Sequence, residues 1–473
     1  MILVDSLKAR EAEGRPIRVG LVGAGFIARA LASQIVNSVP GMRLAAVQGR
    51  RLDRAEAICR YAGADGRVAD DQATLEDAIR SGRTGIVEDA MLLCRSEQLD
   101  VLVDATGSVD FGAEVALEAF RHGIHVVLMN AELDATIGPI LHHYAREHGV
   151  ILSATDGDEP GVQMNLARWL AGLGFTPRVL GNVKGFYDPY RNPSTQREFA
   201  ERWGQNPDMV ASFADGSKLN YEQAIVANAT GFTVLSRGMS RGRRYEGPIA
   251  EIGALYDLDL VREHGGIVDF TVGTPGAKVF CLAEHDDSRQ YRYLELYKLG
   301  SGPLYAFWVP YHLPHLETPN AIARVVLFGD SIAPPLGGPV VEVCAVAKRD
   351  LRAGETLDDC GTYMTYGEAV KTPEMCARRY LPGGLAQGCV LLRDIPKDAV
   401  LTYDDVELPP VRLADRLRAE QYRHFLGETW LEDRLAQRAA GTSIAGRLQG
   451  SPTPADESRV ASVSPSSNVS GSP

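Results

Sequence analysis

The sequence predicts an α/β fold, a doubly wound parallel sheet, followed by an α+β domain and a small β-rich unit. Three observations predict it. Residues 17–155 alternate short apolar runs with helical patterns, as parallel strands covered by helices on both faces do. From about 180 to 315 the chain is strand-rich, with polar and aromatic connections such as KGFYDPYRNPST. Beyond the Gly- and Pro-rich GDSIAPPLGGP (329–339), a linker pattern, come two related phrases, VAKRDLRAGETLDD (346–359) and LLRDIPKDAVLTYDDV (391–406).

Taken in order, IRVGLVG (17–23) reads as a buried strand and FIARALASQIVNS as the helix after it. LAAVQG (44–49) is a second strand; DRAEAICRYAG, TLEDAIRSG and VEDAMLLCRS read as helices. VLVDATG (101–107) and HVVLMN (125–130) are strands separated by the helical FGAEVALEAFRHG, and IGPILHHYAREHG and VILSAT add a helix and a strand. DGDEPGVQ (156–163) reads as a hinge and YRYLELY as a strand. RLADRLRAEQYRHFLGETWLEDRLAQRAAG is helical in pattern, and Ser, Pro, Gly and Asn dominate after 442, as in a disordered tail. The expected division is 1–156, 157–330, 340–410, a helical segment 411–442 and a tail 443–473.

With 473 residues, two or three domains are expected. The 45% hydrophobic and 23% charged content is that of a globular protein. A net charge of −12 argues against a phosphate backbone as partner, so no nucleic acid is expected. The opening MILVDSLKAREAEGRPIRVG lacks the apolar core of a signal peptide. No stretch approaches the roughly 18 apolar residues of a membrane span. Seven cysteines stand singly without a CxxC pair, which points to reduced thiols and a cytoplasmic setting.

Gly23-Ala-Gly25-Phe26-Ile27-Ala28 follows a strand and opens a helix, the context that a Rossmann-type dinucleotide fingerprint requires. Gly23 permits the tight turn, Gly25 lets backbone approach a pyrophosphate, and Ala28 lets helix and strand pack closely. The helix N-terminus offers N–H groups to the phosphates. Where NAD sites place an acid at the end of the second strand, this chain has Gln48-Gly49-Arg50-Arg51. No carboxylate there repels a 2′-phosphate and two guanidiniums can pair with it, which favours NADP. The same arginines also suit a helix cap or a solvated face. Thr106, Gly107 and Asn130 end later strands at the carboxyl edge, where such folds bind ligands, and Glu132 just beyond is counted with them, as are Phe26 and Ile27, among the cofactor-binding candidates.

GLVGAGFIARALASQI, DATG and VVLMNAELDATIGP resemble the nucleotide domain of homoserine-dehydrogenase-type oxidoreductases. Those enzymes follow the strand-ending Asn with a catalytic lysine, whereas this chain reads Asn130-Ala131-Glu132. Through ADGSKLNYE, VANATG and the two C-terminal phrases, residues 1–440 resemble the homoserine-dehydrogenase-like proteins with a C-terminal SAF domain, the 1-deoxy-D-xylulose 5-phosphate reductoisomerase-like (DRL) family. The resemblance implies an NADPH-dependent reductoisomerase forming 2-C-methyl-D-erythritol 4-phosphate, a step of isoprenoid biosynthesis. It also implies a small-molecule substrate, a polyol or sugar phosphate, and an SAF unit that covers the site or mediates assembly. By analogy with related dehydrogenases, a homodimer or homotetramer pairs through the second domain's sheet. The alternatives are a simple NAD(P)-dependent alcohol dehydrogenase and a catalytically silent NADP-binding module.

For carbonyl chemistry the second domain offers Lys184, which ends a strand and suits a carbonyl or a phosphate, or simply solvent. Asp215 and Lys218 lie near a helix start and resemble an acid/base pair, though Asp-Gly-Ser is also ordinary turn chemistry. Asn228 and Thr230 follow on the same helix, while Lys298 follows a strand-like segment and His312 lies in a Pro-rich loop. The Asp156-Gly-Asp158-Glu159 cluster offers hard oxygens to a divalent cation, Mg²⁺ or Mn²⁺, and equally suits an Asx turn; no metal ligand is assigned.

Overall fold

The computed structural model describes residues 2–439. The expected tail, 443–473, and the end of the 411–442 segment lie outside them. Residues up to Glu428 pack as one unit, joining the first three expected parts, and Thr429 begins a second, in which α17 (Trp430–Ala439) forms.

Seven parallel strands make the first sheet, in the order β3-β4-β2-β1-β5-β6-β7. They are β1 (Ile17–Val22), β2 (Met42–Gln48), β3 (Gly66–Val68), β4 (Thr84–Val87), β5 (Val101–Asp104), β6 (His125–Leu128) and β7 (Leu152–Ala154). Helices α1 (Ile2–Ala12), α2 (Phe26–Ser38), α3 (Leu52–Ala62), α4 (Gln72–Arg80), α5 (Ala90–Cys94), α6 (Val109–Arg121) and α7 (Ala131–Glu147) precede and connect them. The central strands are buried on both faces, which is why they read as continuous apolar runs rather than alternating ones. The expected helix VEDAMLLCRS instead begins in β4, whose Val87 pairs with Gln48, because a short apolar run carries no period to separate strand from helix. Strand order reverses between β1 and β5, so a crevice opens at their carboxyl ends.

The second sheet is mixed, ordered β12-β11-β8-β10-β9, with β8 (Phe175–Lys184), β9 (Arg243–Arg244), β10 (Ile267–Val272), β11 (Val279–His285) and β12 (Leu304–Val309). The intervening helices are α8 (Glu159–Gly172), α9 (Pro193–Trp203), α10 (Pro207–Ala214), α11 (Ser217–Thr230), α12 (Leu258–Glu263), α13 (Tyr291–Leu296) and α14 (Pro314–Phe328). Helices α8 and α11 cover one face. Ile249, Ile252, Tyr256 and Val261 cover the other, against Val179, Val183, Phe280 and Leu282. Both faces are thus covered by the chain's own residues.

Two local expectations are corrected. YRYLELY is helical, not a strand: β12 fills the sheet edge and none of residues 291–296 is buried, so alternation finds no face to bury. DGDEPGVQ forms a turn and the start of α8 within one packed unit, rather than a linker between two. Asp158 is the N-cap position of α8, and buried Asp156 accepts from Asn165 (2.6 Å) and pairs with Arg324 (3.3 Å).

The third part pairs β13 (Val341–Ala347) with β14 (Thr365–Lys371), followed by α15 (Thr372–Ala377), β15 (Val390–Leu391), β16 (Val406–Glu407) and α16 (Leu413–Leu426). The two related phrases meet there: Leu351 and Ile395 exchange both backbone hydrogen bonds, at 2.8 and 2.9 Å. Helix α16 packs on α6 and α7, burying Arg418, which pairs with Glu342 and donates to the Thr136 carbonyl. None of the seven cysteines forms a disulfide. Among the described residues no helix is long and apolar enough to cross a membrane.

Candidate active site

The cofactor cleft forms where β1 runs into α2. Gly23 adopts φ +105°, and a Cβ there would lie 3.0 Å from the Ala105 carbonyl oxygen of the neighbouring strand end. Gly25 occupies the N-cap of α2 without a side-chain cap, and the space above its Cα is open. The first N–H groups of α2 are therefore left for a ligand, which fits a dinucleotide pyrophosphate. Phe26 is exposed and Ile27 half-buried at this rim. Gly23→Ala is expected to weaken nicotinamide dinucleotide binding at least about tenfold, read by fluorescence titration, and to cost about 1–3 kcal/mol in backbone strain.

Gln48, at the position where NAD sites carry an acid, turns inward: its side-chain carbonyl accepts from the Gly23 N–H (3.2 Å) and its amide donates to the Glu88 carbonyl (2.8 Å). Arg50 is exposed. Arg51 pairs with Asp53 through two hydrogen bonds of 3.1 and 2.7 Å, so a carboxylate does stand at this end of the cleft and competes for one of the two arginines.

On the other side of the crevice, the buried Asp104 that ends β5 accepts from the Thr106 N–H (3.0 Å), the Thr106 hydroxyl (2.6 Å) and the Asn130 amide (3.0 Å). Burial raises its carboxyl, and those hydrogen bonds oppose the rise. Asn130 also caps α7 by accepting from the Leu133 N–H (3.1 Å). Thr106 and Asn130 thus have their side chains tied to the scaffold and shape the floor of the cleft. Gly107, at φ +72°, leaves its Cα side facing Met209 of α10.

Four elements and two connecting segments bring a charged cluster together. Lys184 ends β8 with its Nζ 3.3 Å from Glu159 Oε1 and 3.9 Å from Glu222 Oε2. Lys278 lies 3.3 Å from the same Glu159 oxygen, and His312 Nε2 lies 3.8 Å from Glu159 Oε2. Lys218 on α11 reaches Glu132 of α7 at 3.8 Å and Asp158 at 3.9 Å. Asn182, two residues before Lys184 and so on the same face of β8, donates to Glu222 (3.1 Å). Lys218 and Glu222 share a face of α11 through their four-residue spacing.

Burial and neighbouring charge divide the roles. Burial pushes Glu159 up, but Lys184, His312 and Lys278 outweigh it and hold Glu159 well below the usual carboxylate range. Burial and the Glu159 charge drive Glu222 well above that range. Burial lifts Asp158 to about 6 against the pull of Lys218. Burial works against the charge on both Lys184 and Lys218, yet the surrounding carboxylates keep each ammonium above its ordinary value. His312 is lowered by burial and by the three lysines despite Glu159. At neutral pH the cluster therefore holds charged lysines, an ionised Glu159, and a neutral Glu222 and His312.

The other predicted catalytic residues sit elsewhere. Asp215 is fully buried 2.7 Å from Lys348 of the third part and accepts from the Ser217 N–H (2.7 Å). Asn228 accepts from the backbone N–H groups of Val340 (2.7 Å) and Val341 (3.0 Å). Thr230 donates back to the Val226 carbonyl (2.7 Å). Ser217 and Asn220 accept from the Gly367 and Ala369 N–H groups (2.9 and 2.7 Å). Helix α11 thus has two polar faces: one carries Lys218 and Glu222 into the cluster, and the other docks on β13 and β14. Lys298 is exposed at the C-terminal end of α13, at φ +70°, away from the cluster. Sequence reading did not find Glu222 or Lys278. Glu222 carried a signal, one helical turn from Lys218; Lys278, in a Gly/Pro-rich turn, carried none.

Residues 157–318 match the family described as oxidoreductase DRL, catalytic domain, and residues 23–154 match the homoserine dehydrogenase NAD-binding domain. Homoserine dehydrogenase of Pseudomonas aeruginosa is 28% identical over 170 residues, covering 34% of this chain and 36% of that protein. The Methylobacillus glycogenes homoserine dehydrogenase is 24% identical over 182 residues, covering 36% and 41%. The match thus spans well under half of either relative. Among solved structures, a 3-ketoreductase from Actinomadura kijaniata in complex with TDP-benzene and NADP is 16% identical, covering 66% of this chain and 90% of that one, with a TM-score of 0.37. The NAD-binding match is followed directly by the catalytic-domain match, so residues 23–154 are similar to the nucleotide domain of homoserine dehydrogenases and residues 157–318 to the catalytic domain of the DRL oxidoreductases.

Proposed function

We propose that the protein is an NADPH-dependent reductase of a small polyhydroxylated carbonyl compound, a sugar phosphate of the 1-deoxy-D-xylulose 5-phosphate kind. The observation that carries this reading is the convergence of Lys184, Lys218, Lys278 and His312 on buried Asp158, Glu159 and Glu222. Such a cluster offers many donors and acceptors to a hydroxylated substrate, and two permanently charged lysines to a carbonyl oxygen or phosphate. The substrate's C3–C4 bond would break and C4 would rejoin at C2, giving an isomeric branched aldehyde at C3, and the cofactor, when bound, would supply the hydride to that aldehyde. Lys184 and Lys218 would donate hydrogen bonds to the oxygen on which negative charge develops. Glu222, held neutral, would deliver the proton to it. Ionised Glu159 would orient Lys184 and Lys278. Asp215 and Asn228, committed to the third part, take no part in chemistry. The 341–407 unit, read as SAF-like from its paired phrases, would support α11 from behind.

Asp158, Glu159 and Glu222 place carboxylate oxygens within 4.8 Å of one another. The Lys184 ammonium already bridges Glu159 and Glu222 where a cation would bridge them, and Lys218 faces Asp158. The residues present do not fit a resident divalent cation, and no step is drawn through one.

The test is NADPH oxidation with 1-deoxy-D-xylulose 5-phosphate, run with Mg²⁺ and with EDTA, with the product identified by mass and NMR. Formation of 2-C-methyl-D-erythritol 4-phosphate under both conditions is the expected result. Tight NADPH binding without oxidation would sink the substrate and redirect the search to other polyols. Arg50, the exposed arginine of the pair, is the better candidate for the 2′-phosphate. Arg50→Glu is expected to weaken NADPH binding by about tenfold or more and to leave NADH nearly unchanged. Equal loss for both dinucleotides would remove Arg50 from that role.

A further inference from the structure

A small cavity lies between α7 and the start of α8, lined by Asn130, Ala131, Asp134, Thr155, Asp158 and Ile225, among others. It has room for about one water molecule. Asp134 projects from the first turn of α7, only 5% exposed, and its Oδ2 is buried with no hydrogen-bond partner. A buried carboxyl left this way is costly unless water or a ligand satisfies it. Asp158 lines the same cavity and also faces Lys218 in the catalytic cluster.

We propose that this cavity is a water site joining Asp134 to Asp158, and that Asp134 is the proton store of the acid–lysine cluster. The proposal rests on reading that cluster as a proton-transferring site. Asp134 touches neither substrate nor cofactor; it acts through Asp158. Burial alone brings Asp134 to about 7, next to the value of about 6 for Asp158, so a proton can pass between them at little cost near neutral pH.

The other charged groups on and around α7 are engaged elsewhere. Glu132 meets Lys218, and His142 is held neutral by burial at about 3. On α11, Lys218 and Glu222 face the cluster. On α16, Arg418 is held by Glu342 of β13 and by the Thr136 carbonyl, Glu420 accepts from Tyr144, and Asp415 is paired with Arg412. Asp110 of α6 accepts from the Ala414 N–H, and Asp104 of β5 is bound by Thr106 and Asn130.

The experiment needs no substrate, so failure of the proposed reaction would leave it standing. The carbonyl stretch of protonated carboxyl groups is followed by infrared difference spectroscopy from pH 5 to 8 in the full chain, in Asp134→Asn and in Asp158→Asn. Asp134→Asn should abolish the component titrating near 7. Asp158→Asn should move the midpoint of that component, because the bridging water makes the two carboxyls titrate as a pair. If Asp158→Asn leaves the midpoint unmoved, Asp134 is isolated and the proposal falls. A chemical-denaturation series checks that Asp134→Asn folds. Since the folded value of Asp134 lies above its ordinary 3.8, wild-type stability should decline as pH rises from 3.8 through about 7, and the variant should lack that part of the slope. An identical pH dependence in the two proteins would also overturn it.

Discussion

Lys218→Met should reduce kcat for NADPH oxidation by about 10²–10⁴-fold, the range set by losing a positioned proton donor or charge stabiliser. Binding of NADPH should change little, since the cofactor cleft is built from β1, α2 and the β5 loop rather than from α11. The size of the effect follows from burial. Lys218 is 8% exposed and faces Glu132 and Asp158, and these carboxylates keep it charged against desolvation. Methionine fills the stem volume but brings no donor, and Asp158 loses the lysine that restrains its rise. Steady-state kinetics alongside fluorescence titration separate the two quantities. A loss below about tenfold with binding intact would take Lys218 out of the chemistry.

Lys348→Met should produce the largest loss of stability, about 3–5 kcal/mol, because it strands a buried carboxylate. Lys348 is 5% exposed and Asp215 fully buried, with 2.7 Å between them. The same ammonium donates to the carbonyls of Arg191 and Thr362, at 2.5 Å each, so three acceptors lose their donor together. Asp215 already sits at about 6 through burial, opposed by Lys348, and would rise further without it. The double variant Lys348→Met, Asp215→Asn should recover part of the loss, since neither charge then remains buried alone. Urea denaturation of the three proteins measures it. A single-variant cost below about 1 kcal/mol would mean that water reaches Asp215 and that the third part grips α11 through Ser217, Asn220 and Asn228 alone.

The residues that the sequence marks as polar on α11 illustrate how far reading the chain can go. Asp215, Lys218 and Asn228 look alike in sequence, polar residues just before or along one helix. Only Lys218 points to the cluster, because helical geometry turns its neighbours toward β13 and β14, and no local pattern records which strand edge lies behind a helix. Lys298 failed for a simpler reason. Its segment alternates like a strand, yet with the sheet edge filled by β12 it coils into an exposed helix. Arg51 reads as a phosphate partner until Asp53, two residues on, is seen to hold it.

By itself the sequence determined the α/β fold with its glycine-marked turn at the β1–α2 junction, the succession of a parallel and then a strand-rich region, and three of the cluster's nitrogen-bearing side chains, Lys184, Lys218 and His312. Periodicity and turn chemistry are local, so they survive in a linear text. Only tertiary structure decided that Glu132, Asp158, Glu159 and Glu222 meet those side chains, that Lys278 joins them at Glu159, that both faces of the second sheet are covered, and that the third part clamps α11. These depend on long-range packing. Burial and neighbouring charge then give chemically identical carboxyls opposite protonation states, as Glu159 and Glu222 show.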